Sequence, residues 1–116
     1  MATFMLKAHY LTLSGVLAEG YARRTEYFRQ LIALYKGDLV AVYWPEDTSE
    51  ADVIAIVEIP DPTAMKAIEL AVNESGVVQL RVLRLLDVET MDQARKMLPP
   101  YRAPGEDADL PPSIVR

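Results

Sequence analysis

Cysteine is absent from the 116 residues, which removes disulfide frameworks, thiol nucleophiles and thiolate metal sites together. Histidine occurs once, at His9, so a zinc centre would have to rest on carboxylates and no metal site is expected. A single histidine is also thin support for haem, and no cofactor is expected. Long hydrophobic runs are missing too. No apolar stretch approaches the ~18 residues of a spanning helix, so no membrane partner is expected. Basic excess is lacking: the formal charge of -5 would repel a phosphate backbone, and no nucleic-acid partner is expected. Residues Met1 to Lys7 lack the basic start, long apolar centre and small-residue cleavage site of a secretion signal, which gives a cytoplasmic expectation. A glycine-rich phosphate loop, a Gly-x-Ser-x-Gly elbow and a His-Glu-x-x-His helix are all absent, so nucleotide hydrolysis, serine esterase chemistry and zinc proteolysis lack their parts.

What is present suits a folded domain. An apolar fraction of 51% with 25% charged residues is near the globular average, and the length fits one domain. Residues 3 to 10 alternate, with Phe4, Leu6, Ala8 and Tyr10 on one side and Thr3, Met5, Lys7 and His9 on the other, which predicts a strand. After Ser14-Gly15, Tyr21, Phe28, Leu31, Ile32 and Tyr35 recur at helical spacing, and Gly37 supplies a stop. Leu39 to Trp44 reads as a second strand, and a polar turn over Pro45 to Glu50 joins it to Val53–Ile59 in a hairpin. Asp61-Pro62 offers a helix cap and first turn, with Ala64, Ala67, Ile68, Ala71 and Val72 as the apolar stripe before Gly76. Val77 to Leu86 alternates as a fourth strand. A short helix from Asp87 carries Val88, Met91, Ala94 and Leu98 on one face and ends at Pro99-Pro100. Residues 1–98 are thus expected to be the folded domain. The tail over residues 99–116 holds five of the eight prolines and is expected to be extended and docked, or disordered.

The order βαββαβ predicts an α+β, ferredoxin-like fold, an antiparallel four-stranded sheet with its helices on one face. Val53–Ile59 is apolar on both faces, so such a strand needs cover twice. With the helices on one side, the other side shows Met5, Lys7, His9, Ile54, Ile56, Glu58, Arg81, Leu83 and Leu85. An apolar patch of this kind usually marks an interface, and a homodimer packed sheet to sheet is the expected partner arrangement.

Leu6-Lys7-Ala8-His9-Tyr10, Glu19-Gly20-Tyr21-Ala22-Arg23-Arg24, Pro60-Asp61, Ala71 to Gly76 and Tyr101 to Gly105, taken in order, resemble the GYD-domain proteins, small bacterial proteins of uncharacterised function. The resemblance implies a dimeric α/β barrel. At the namesake motif the chain reads Glu50-Ala51-Asp52, keeping only the aspartate, so no role of the missing glycine and tyrosine carries over. Barrel relatives include cofactor-free monooxygenases, haem-degrading enzymes, isomerases and ligand-sensing modules, among which the fold does not choose.

Chemistry is expected between paired sheets, where parity puts Lys7, His9, Glu58 and Arg81 together. In an enzyme, His9 would be the acid or base, with Glu58 and Arg81 positioning substrate. The plainer reading pairs Glu58 with Arg81 or Lys7 at an interface, with His9 at the sheet edge. Arg23 and Arg24 suit a small anion, or form a solvated face with Glu19 four residues before Arg23. Tyr10, Tyr43, Trp44 and Tyr101 offer an aromatic wall for a flat ligand, or simply finish the core. The leading expectation is a homo-oligomeric module binding a small anionic or aromatic metabolite at Lys7, His9, Tyr10, Arg23, Arg24, Trp44, Glu58 and Arg81. The alternative is a cofactor-independent enzyme, and whether the protein is an enzyme stays open.

Overall fold

The computed structural model describes residues 1–12 and 19–105. The Ser14-Gly15 turn and the tail from residue 106, with Pro111 and Pro112, lie outside the described residues. The elements run β1 (Ala2–Tyr10), α1 (Tyr21–Ala33), β2 (Asp38–Tyr43), β3 (Val53–Ile59), α2 (Pro62–Glu74), β4 (Val78–Leu85) and α3 (Val88–Lys96). The sheet order is β2-β3-β1-β4 with every neighbouring pair antiparallel, the open α+β arrangement expected of a ferredoxin-like fold. Residues 1–85 form one compact unit and a second begins at Leu86.

Alternation along β1 puts Phe4, Leu6 and Ala8 in the core and leaves Thr3, Met5, Lys7 and His9 half-buried on the opposite side. In β3, Ala55, Val57 and Ile59 face the core, and Leu80 does so from β4. α1 contributes Ile32 fully buried, with Phe28 and Leu31 packed beside it. Tyr21 and Tyr35, expected on its apolar stripe, are 53% and 42% exposed because they sit at the first residue and beyond the last turn. From α2, Ala64, Met65 and Ile68 are buried, while Ala67 and Ala71, expected inward, are exposed. The inward stripe is Ala64, Met65, Ile68 and Val72, and Ala67 and Ala71 fall to one side of it at helical spacing.

The helix ends follow local chemistry. Asp61 accepts a hydrogen bond from the Thr63 N–H at 2.9 Å, and Pro62 occupies the first turn where no N–H is needed. Gly76, with φ 74°, ends α2 as expected. α1 stops differently. Lys36, not Gly37, takes the left-handed conformation at φ 61°. The N–H groups of Lys36 and Gly37 then donate to the carbonyls of Ala33 and Ile32, the Schellman pattern. In the second unit, Asp87 caps α3 by accepting from the Thr90 N–H at 2.8 Å. That hydrogen bond from the backbone holds its carboxyl below the usual carboxylate range. No residue of α3 is buried, and the stripe expected there leaves Val88 78% and Met91 55% exposed.

β2 departs from simple alternation. Leu39 pairs with Val57, but Ala41 pairs with Ile56 and Val42 with Ala55, so Val40 is an extra residue in the ladder. The bulge lets Leu39 and Val42 both face the core and turns Asp38, Ala41 and Tyr43 to the open side. Among the described residues no helix is long and apolar enough to cross a membrane.

Candidate functional site

Two alanines make room beneath α1. Ala8 and Ala55 lie on the core face of the two central strands, where longer side chains would reach the helix. The result is a cavity of about 120 Å³ between α1 and the sheet. Its deep end is formed by buried Leu6, Leu39, Ala55 and Leu80, and Phe28 and Leu31 of α1 close it from above. Its rim is polar and aromatic: Tyr10, Arg24, Thr25, Tyr27 and Trp44. The Arg24 guanidinium lies 5.2 Å from the centre of the Tyr27 ring and 3.4 Å from Glu19. Tyr21 meets Trp44 edge to face, with ring centroids 5.3 Å apart. An apolar space of roughly 150 Å³ holds a benzene-sized ring and stays free of water, so a volume of this order suits one small ring.

The other side of the sheet carries three rows across the strands. They read Asp38–Glu58–Thr3–Leu85, then Ala41–Ile56–Met5–Leu83, then Tyr43–Ile54–Lys7–Arg81. Lys7 reaches Glu50 of the β2–β3 loop at 3.4 Å. His9 Nδ1 lies 3.6 Å from Asp52 Oδ2, too long for a hydrogen bond, and the same carboxylate oxygen accepts from the Tyr10 N–H at 2.8 Å. Asp52 N–H donates to the Ala8 carbonyl, so the aspartate kept from the namesake motif extends the β1–β3 pairing by one residue. Lys7, His9, Glu50 and Arg81 line a polar cleft that also reaches Glu69 of α2. No group of metal-ligating residues occurs among the described residues.

The expected ligand set therefore splits between two faces. Tyr10, Arg24 and Trp44 line the cavity, whereas Lys7, His9, Glu58 and Arg81 occupy the open side. Glu58 does not pair with Lys7 or Arg81 within the chain. It lies beside Thr3 and Asp38, four residues along β3 from Ile54, or roughly 13 Å at the rise of a strand. Arg23 is exposed on α1, and Glu19 pairs with Arg24 instead, because Gly20 with φ 83° breaks the helical register between residue 19 and the helix. Tyr43 belongs to the open side, and Tyr101 belongs to the second unit. Thr25, Tyr27 and Phe28 of the cavity were not among the expected site residues. The small residues Ala8 and Ala55 at core-facing strand positions hint at the space, but which α1 residues line it follows only from where the helix lies.

A family model described as the GYD domain matches residues 9–94, from the end of β1 into α3. No curated protein and no solved structure matches the chain. The matched stretch covers well over half of the sequence and includes the rim residues of the cavity as well as His9 and Asp52. The chain belongs to the GYD domain family.

Proposed function

We propose that this protein is a small-molecule-binding module whose ligand sits in the cavity beneath α1. The observation that carries this is the combination of an apolar interior of about 120 Å³ with a rim holding Arg24 and Trp44. The ligand is one aromatic ring, or an apolar group of that size, bearing an anionic substituent. The ring replaces empty space against Leu6, Ala55 and Phe28, and the anion faces the Arg24 guanidinium in place of the exposed Glu19 contact. Binding is favoured over catalysis because His9 lies on the opposite side of β1, so a ring in the cavity is out of its reach.

Benzoate and phenol test this reading. Trp44 is the only tryptophan, so its fluorescence reports the rim directly. Benzoate should give a saturable change that Ala55→Leu abolishes by filling the cavity. Arg24→Met should weaken benzoate about tenfold and phenol much less, the usual scale for losing one charge-assisted contact. If neither probe perturbs Trp44 or the amide resonances of cavity residues at millimolar concentration, the reading fails.

We also propose, independently of the ligand, that the protein forms a homodimer joined through the open side of the sheet. Met5, Ile54, Ile56 and Leu83 are half-buried apolar groups there, and covering what remains exposed of each is worth a part of the roughly 1.5 to 3 kcal/mol that full burial gives. Sedimentation velocity at micromolar concentration should find two copies together, and a single sedimenting copy at all concentrations would refute the assembly.

A further inference from the structure

The polar side chains that line the cavity gather at one end of it. β1 and β2 run in the same direction, because each pairs antiparallel with β3, so Tyr10 at the end of β1 and Trp44 just past β2 stand at the same margin of the sheet. α1 begins above that margin, where Tyr21 meets Trp44, and Arg24 and Thr25 belong to its opening turns. The far end is Leu39, near the start of β2, with Leu6, Ala55, Leu80 and Phe28 between. Among the described residues no buried one carries a polar or charged side chain, so a polar group carried to the far end meets no side-chain partner there.

Two hydroxyls at the mouth are unclaimed. Tyr10 on the sheet and Thr25 beside Arg24 on the helix are half-buried, and among the described residues neither hydroxyl hydrogen-bonds to another group of the chain. Each can donate or accept. A ring seated with its acid at Arg24 has its ortho positions at this mouth and its para position farthest from the acid, among the aliphatic side chains. A ring hydroxyl beside the acid exchanges water for Tyr10 or Thr25, whereas one opposite the acid exchanges water for nothing.

We infer that the ligand of this cavity is a 2-hydroxy aromatic acid, a ring whose two polar substituents share the edge that faces Arg24, Thr25 and Tyr10. This ligand class rests on the binding reading proposed above, which it narrows from any anionic ring to one pattern of substitution. Tyr10 and Thr25 are the residues that select it. The hydroxyl beside the acid donates to its own carboxylate, and its lone pairs remain for the Tyr10 or Thr25 O–H to donate to. The gain is about two- to tenfold in affinity, the usual net worth of a neutral hydrogen bond made in place of one to water. The loss on burying an unmatched para hydroxyl is about tenfold or more.

Titration of the full chain with four aromatic acids tests it, followed by the amide resonances of cavity residues because 2-hydroxybenzoate itself fluoresces. 2-Hydroxybenzoate should bind about two- to tenfold tighter than benzoate. 4-Hydroxybenzoate should bind about tenfold weaker than 4-fluorobenzoate, which is close to it in size and lacks the hydroxyl. In Tyr10→Phe/Thr25→Val the ratio of 2-hydroxybenzoate to benzoate affinity, both measured on that variant, should fall to about one. If none of the four acids binds at millimolar concentration, the cavity is not a ligand site and both readings fail. If benzoate binds but the hydroxyl beside the acid brings no gain, or the para hydroxyl no loss, or the double variant keeps the ratio, the binding site stands and this substitution pattern is refuted. The four acids on the unsubstituted protein decide the matter even where the variant does not fold.

Discussion

At the scale of a residue, Gly37 shows how little freedom the end of α1 has. A methyl group there would lie 2.8 Å from the Glu58 carbonyl oxygen and 2.8 Å from Ile32 Cγ2, and neither a ladder carbonyl nor a fully buried side chain has space to retreat. Gly37→Ala should therefore cost about 1 to 3 kcal/mol in urea unfolding, the usual range for overpacking. An unchanged midpoint would show that the backbone yields. The sequence marked this glycine as a helix stop, yet the left-handed residue is Lys36 and the glycine answers a demand for space. Chain spacing carries the first kind of signal. The second depends on which strand lies beneath the turn, and only the assembled sheet decides that.

Among the elements, β1, β3 and β4 show their two faces in period-two alternation, because each has a core side rich in aliphatic residues. β2 does not, since the extra residue at Val40 reverses the parity of everything after it. The site was harder to read for a related reason. Parity correctly put Lys7, His9, Glu58 and Arg81 on one face, but the distance from Glu58 to Lys7 depends on antiparallel register, which alternation leaves undetermined. The cavity arises from helix placement over two alanines, and a single chain's pattern holds no measure of that gap. Contact between α2 and β4 has its own device. The Asn73 side chain donates to the Leu80 carbonyl at 3.0 Å and accepts from the Leu80 N–H at 2.6 Å. Asn73→Ala removes both contacts and should cost about 1 to 3 kcal/mol, with faster hydrogen exchange at the Leu80 amide as its signature. Exchange at that amide no faster than before would mean that water takes over both contacts.

In the whole molecule one layer of backbone separates two surfaces: even-numbered residues of β1 serve the cavity side and odd-numbered ones the open side. Ile56→Glu places a carboxylate at the centre of the open side and should leave single copies at micromolar concentration by sedimentation. Benzoate binding should change by no more than about twofold, since substitutions without shared partners act independently. A dimer that persists would remove the open side as the interface. The rims of the sheet have a further consequence. On the β2 edge the Leu39 carbonyl accepts from Arg29 at 3.3 Å, next to the bulged Val40, and on the β4 edge both backbone groups of Leu80 are taken by Asn73. A free strand arriving at either rim meets occupied or misaligned hydrogen-bonding groups at Leu39–Val40 and at Leu80, so strand addition in register is interrupted at those positions by the same side chains that fasten the helices.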